Sequence, residues 1–214
     1  MSSEAFLERA IVAIVILGFS FPVHEFAHAF AAFYLGDNTA RYLGRLTLNP
    51  VTHFDPIGGT LLAISVMVGG GFGWAKPTPV NPLNLRGGRW GQAIVAAAGP
   101  LSNLVLAIAA AIPLRFMLET GTGPEILASV LFIFVQINLL LMLFNLIPVP
   151  PLDGGPVLLA FLPPRTAWSL RPILEQYGIL ILILLIFPVF GGTSVLSVVF
   201  QTILDPIFRL LVGL

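Results

Sequence analysis

Three stretches of this chain, Gly91 to Met117, Glu125 to Ile147 and Ile173 to Phe190, are apolar over about the 20 residues that a helix needs to cross a bilayer. A water-soluble core does not absorb several runs of that length, because a soluble fold still needs a polar surface. Composition agrees: of 214 residues 57% are hydrophobic and 9% charged, where soluble domains carry about 25% charged residues. Mean hydropathy is +0.98. The lipid bilayer is therefore the expected partner. Net charge is zero, so the basic stripe that would mark a nucleic-acid surface is missing.

Further runs flank these three. Ala5 to Leu35 is long enough to span, with Pro22 expected to kink it. Ile57 to Phe72 is short for a span and is bracketed by Gly58-Gly59 and Gly69-Gly70-Gly71. Val195 to Leu214 is interrupted by Asp205-Pro206. Eighteen prolines and twenty-one glycines argue for broken or re-entrant helices, which membranes tolerate where protein or water satisfies the freed backbone. The expectation is an all-α polytopic membrane protein with about four to six transmembrane or re-entrant helices.

Between the first two runs, Asp37 to Pro56 is polar and turn-rich, and the alternation in Arg41 to Leu48 predicts a short β-hairpin. Arg41, Arg45, Lys76, Arg86 and Arg89 flank Ile57 to Phe72 on both sides. Cytosolic loops collect Lys and Arg, so that segment is expected to re-enter, with the N-terminus outside and the arginine-rich loops, including Arg165 and Arg171, in the cytosol. Met1 to Arg9 lacks the basic region of a secretory signal, so the first run is read as a retained membrane segment. The chain is expected to form one membrane-embedded domain over 1–214, with a core at about 5–160 and C-terminal helices at about 170–214, in the cell membrane.

Chemistry concentrates at His24-Glu25-Phe26-Ala27-His28. Histidines four apart share one face of a helix and reach one tetrahedral metal ion. The glutamate between them is placed to deprotonate water that the metal activates. Two of the chain's three histidines lie here, inside an apolar run, where ionisable groups are costly and mark function. Cysteine is absent, so a third ligand must come from a carboxylate or from His53. Asp153, after Asn145-Leu-Ile-Pro-Val-Pro-Pro-Leu, stands where proline and glycine break a helix. The same residues also read as an ordinary turn at a membrane surface. His53, in the turn-rich Leu48 to Pro56, is either a loop group that approaches the site or a plain turn residue. Asn103, Asn138 and Asn145 sit in apolar helices, where amides bond neighbouring helices or, at a site, hold a substrate backbone or a developing oxyanion.

Taken together, His24 to His28, Gly99-Pro-Leu-Ser-Asn103 and Asn145 to Gly155 resemble the motifs of the site-2 protease family, and the loop Phe72 to Val80 resembles that of its short members. The resemblance covers roughly residues 20 to 160. It implies a polytopic intramembrane metalloprotease with one zinc ion per chain, Asp153 as third ligand, transmembrane protein or peptide substrates, and an active site toward the cytosol. It favours Asn145, and less strongly Asn103, as substrate or oxyanion groups, and leaves Asn138 as a packing contact. The PDZ and CBS modules of larger members have no room in this sequence. An unwound substrate segment is expected to add as a strand to the predicted hairpin. The rival reading is an inactive metal-binding scaffold or a small transporter, which leaves the glutamate between the histidines unexplained.

Overall fold

A computed structural model describes residues 3–67, 73–188 and 192–214, with side chains from residue 7 onward. The described residues form helices α1 (Ser3–Val15), α2 (Phe21–Tyr34), α3 (Thr39–Tyr42), α4 (Pro50–His53), α5 (Pro56–Met67), α6 (Arg89–Thr120), α7 (Glu125–Asn145), α8 (Gly154–Phe161), α9 (Pro164–Ile186) and α10 (Val195–Val212). A π-helical turn, Ile16–Ser20, joins α1 to α2. It lies just before Pro22, at the start of α2, so the wider turn accommodates the proline without ending the span.

Among the described residues, five helical stretches are long and apolar enough to cross a membrane: Leu7–Tyr34, Arg89–Thr120, Glu125–Asn145, Pro164–Ile186 and Val195–Val212. The fourth starts earlier than the apolar run Ile173 to Phe190 suggested. Its first turns are polar, and Arg171 pairs with Glu175 one turn on at 2.8 Å. Long α6 is the axis of the molecule. Its small residues Ala107, Ala110 and Ala111 let α7 and α10 approach closely, and Leu114, Val135, Leu139, Met142, Phe208 and Val212 fill the seam. A second cluster, Val15, Ile16, Leu62, Val66 and Ile137, joins the first span to α5 and α7.

The α5 helix covers the described part of the Ile57 to Phe72 segment. Its 12 residues rise about 18 Å, well short of the roughly 30 Å hydrocarbon core. At its far end Arg9 Nη1 donates to the Met67 carbonyl at 2.5 Å, a cation at a helix C-terminus. The chain then returns. A Cβ on Gly73 would lie 2.3 Å from Leu62 Cβ, and one on Gly58 would lie 2.5 Å from the Trp74 carbonyl. The Lys76 N–H donates to the His53 carbonyl at 2.9 Å. Residues 73–76 therefore run back along α5 to its start. The Gly69–Gly71 bracket lies outside the described residues.

The predicted β-hairpin is not formed, and no strand occurs among the described residues. Asp37 Oδ1 accepts the Thr39 N–H at 3.1 Å and starts α3. Gly44, at φ 68°, reverses the chain so that the Arg45 N–H reaches the Ala40 carbonyl at 2.8 Å. A lone hairpin without a further strand is marginal. Instead Arg45 is buried and its guanidinium donates to the Thr52 carbonyl. The alternation thus reflects a compact turn, and strand addition at a hairpin falls with it.

Asp37, buried outside the spans, pins this connection to the next one. Burial works against its charge, but hydrogen bonds from the Thr39 hydroxyl, the Asn84 amide and the Asn81 and Thr39 N–H groups prevail and hold its carboxyl below the ordinary 3.8.

Candidate active site

His24 and His28 point from α2 toward α6, and both are buried. Their Nε2 atoms lie 3.0 Å apart. Asp153 arrives from the turn that leads out of α7 into α8. After α7 ends at Asn145, the chain folds tightly so that a Cβ on Gly154 would lie 2.3 Å from the Leu146 carbonyl, and one on Gly155 would lie 2.9 Å from the Pro150 ring. Glycine is the residue that fits both places. The α9 helix closes on the same loop, where a Cβ on Gly178 would meet the Pro150 carbonyl at 2.0 Å. This packing brings Asp153 Oδ2 to 3.1 Å from His24 Nε2 and 3.3 Å from His28 Nε2.

Each ring turns its other nitrogen to an oxygen on α6. His28 Nδ1 lies 2.7 Å from the Val95 carbonyl, an acceptor without ambiguity, and His24 Nδ1 lies 2.6 Å from Asn103 Oδ1. With the protons on Nδ1, both Nε2 atoms present lone pairs. Asp153 Oδ2 is buried and accepts no hydrogen bond. When both rings are neutral, three electron-pair donors thus face a common point, an arrangement that a cation balances. Bonds of about 2.0–2.1 Å to a tetrahedral zinc require ligand atoms roughly 3.3–3.4 Å apart, and the observed 3.0, 3.1 and 3.3 Å fit one face of such a tetrahedron. Among the described residues this is the one group of three or more His, Asp or Glu side chains placed so that it could hold a metal ion.

Gly99 makes the approach of α2 to α6 possible. A Cβ there would lie 2.4 Å from His28 Nε2 and 2.6 Å from His24 Nε2. Val95, Gly99 and Asn103 fall four apart on one face of α6, so an acceptor, a gap and an acceptor line up against the two rings.

Glu25 is half-buried beside the triad. The returning strap of residues 73–80 reaches it: the Thr78 N–H donates to Glu25 Oε2 at 2.7 Å, and the Thr78 hydroxyl donates to the Glu25 carbonyl at 3.0 Å. Prolines stand on both sides of Thr78, so its N–H is the one backbone donor of Pro77-Thr78-Pro79. Sequence reading missed Thr78, because the contact crosses 53 residues and uses a main-chain atom.

The triad and Glu25 border a cavity of about 830 Å³ that Val12 and Ile16 of the first span, Leu62 and Val66 of α5, and Ile137 and Leu141 of α7 wall with apolar side chains. Asn145 borders it as well, with its Nδ2 donating to the Leu141 carbonyl at 2.9 Å. Asn103 is fully buried behind His24, away from the cavity wall. His53 also lies apart, its Nε2 at 2.7 Å from the Thr47 carbonyl.

Residues 12–126 and 121–189 match Peptidase family M50. A Bacillus subtilis (strain 168) protein named "Putative zinc metalloprotease YwhC" is 39% identical over 186 residues, 84% of this chain and 81% of that protein. The Mycolicibacterium smegmatis and Mycobacterium tuberculosis (strain H37Rv) proteins named "Putative zinc metalloprotease Rip2" are 33% and 31% identical, over 81% and 84% of this chain and 66% and 69% of their own lengths. No solved structure matches the chain. The chain belongs to peptidase family M50, the site-2 protease family.

Proposed function

We propose that this protein is a zinc endopeptidase that hydrolyses peptide bonds of membrane-spanning proteins within the bilayer, with one zinc held by His24, His28 and Asp153. The observation that carries this reading is the position of the ligand triad. Its two histidines lie inside an apolar span, with His24 ten residues before Tyr34, about 15 Å along the helix, and the triad opens on an apolar cavity that Glu25 also borders. When bound, zinc supplies Lewis-acid chemistry, polarising a carbonyl and making water nucleophilic near neutral pH.

The chain's own groups do the rest. Glu25 takes the proton of the attacking water and delivers it to the nitrogen of the leaving amine. The Thr78 N–H holds one carboxylate oxygen of Glu25 and leaves the other for that transfer. The apolar walls receive a substrate helix, which must unwind locally because its carbonyls are otherwise hidden in its own hydrogen bonds. Asn145, on the cavity wall, offers its amide to the exposed substrate backbone.

The charges support a cytosolic site. With five spans and α5 re-entrant, Arg41, Arg45, Lys76, Arg86, Arg89, Arg165, Arg171 and Arg209 fall on one side, and Arg9 and Arg115 on the other. The richer side faces the cytosol and carries the loops next to the triad.

The test is cleavage of a tagged single-span protein by the purified chain in vesicles. Chelation is expected to abolish cleavage, and one equivalent of zinc per chain to restore it. Metal-free protein that cuts as fast as the loaded form would overturn the zinc role. Loaded protein that binds single-span proteins without cutting them would favour the scaffold reading.

Thr78 gives a second expected result. Thr78→Pro removes the N–H that holds Glu25, and a hydrogen bond to a charged group contributes about 1.5–3 kcal/mol. Cleavage should fall roughly 10- to 100-fold with zinc content unchanged, while Thr78→Ser stays near wild type. Full activity in Thr78→Pro would show that the strap does not position Glu25.

A further inference from the structure

Asn103 and Asn138 are both completely buried, and neither touches the cavity. They form one directed chain of hydrogen bonds. At its far end the Phe134 carbonyl accepts from Asn138 Nδ2 at 2.9 Å. A main-chain carbonyl cannot donate, so this bond fixes which way the Asn138 amide points. Its Oδ1 then faces α6 and accepts from Asn103 Nδ2 at 2.9 Å. That bond in turn fixes the Asn103 amide, whose Oδ1 is left to accept from His24 Nδ1 at 2.6 Å.

We infer that Asn103 and Asn138 are positioning residues that set the tautomer of His24. The Phe134 carbonyl, two side chains away, keeps the His24 proton on Nδ1 and so leaves the Nε2 lone pair facing Asp153 and His28. This rests on the zinc reading above and assigns both asparagines a task other than contact with substrate.

The arrangement answers a weakness of asparagine as a support. His28 leans on the Val95 carbonyl, which has no alternative orientation. An amide rotated by half a turn would instead present Nδ2 to His24 and demand an acceptor there, moving the ring proton to Nε2, where it blocks the metal. Asn138 removes that choice, because a rotated Asn103 would set its Oδ1 against Asn138 Oδ1. Outer partners of ligating histidines fix ring orientation and tautomer, and their loss lowers metal affinity about 10- to 100-fold.

The experiment measures zinc affinity by chelator competition on the purified full chain, with the folded fraction checked by gel filtration. Asn138→Leu, which touches neither metal nor ligand, is expected to bind zinc about 10- to 100-fold more weakly. Adding Asn103→Asp in that background is expected to restore affinity, because a carboxylate presents an acceptor to His24 whichever way it is turned. A role in helix packing alone predicts no rescue from a second buried change. Wild-type affinity in Asn138→Leu would overturn the inference, and so would a double variant as weak as the single one. If Asn138→Leu does not fold, Asn138→Ala removes the same amide without added bulk and is read in the same way. Failure of the wild-type chain to take up zinc would instead overturn the metal site itself.

Discussion

Glu25→Gln should abolish cleavage while leaving the metal in place. The substitution keeps the size and shape of the side chain, and an amide oxygen still accepts the Thr78 N–H now 2.7 Å from the carboxylate. What it loses is the ability to take up a proton, so neither the attack of water nor the departure of the amine is assisted. General acid–base groups contribute about 10²- to 10⁴-fold, and under the proposed mechanism one residue serves both steps, so the fall should lie at the upper end of that range. Zinc content should not change, because the group that could hold the metal is His24, His28 and Asp153, without Glu25. The measurement is a single-turnover cleavage rate beside metal analysis of the same sample. A rate within tenfold of wild type would remove Glu25 from the chemistry. Loss of zinc from the variant would instead point to Glu25 as a ligand.

The spans and the two histidines were legible in the sequence because each depends on local spacing. Apolar length marks a span, and a four-residue interval puts His24 and His28 on one face. The same logic misled at Arg41 to Leu48, where alternation suggests strands. Whether an alternating stretch pairs depends on a neighbouring strand, and the buried Arg45 and the turn at Gly44 replace one here. Length and flanking charges suggest re-entry for Ile57 to Phe72, but the contacts that bring residues 73–76 back beside α5, from Gly73 to Leu62 and from Lys76 to His53, join residues with no pattern between them. Asp153 could be suspected from the helix break before it. Its approach to the histidines depends on how Gly154, Gly155 and Gly178 pack the loop. Least visible were Thr78, Val95 and the direction of the Asn103 and Asn138 amides. Thr78 and Val95 act through main-chain atoms, which the sequence does not distinguish from any others, and amide direction is set by partners on other helices.

Gly99→Ala is the smallest change expected to destroy the site. A methyl group there would stand 2.4 Å from His28 Nε2 and 2.6 Å from His24 Nε2, on the two nitrogens that would hold the metal. The rings have little room to retreat, because each is tied through Nδ1 to α6 itself, at the Val95 carbonyl and at Asn103. Either those bonds break or α2 and α6 move apart, and both outcomes displace Nε2 from the common point it shares with Asp153. Overpacking of this kind costs typically 1–3 kcal/mol, little enough for a helix bundle to survive. Zinc affinity should nevertheless fall by more than the roughly 100-fold that loss of an outer partner produces, with cleavage lost in parallel. Gly18→Ala is the control: it lies on the same span as the histidines, and its Cβ would meet nothing within 4 Å, so zinc binding and cleavage should stay at wild-type levels. Zinc titration of both variants, with folded fraction followed by gel filtration, separates the cases. Normal zinc binding in Gly99→Ala would mean that the two helices do not meet at this glycine, and the close approach that assembles the triad would have to be abandoned.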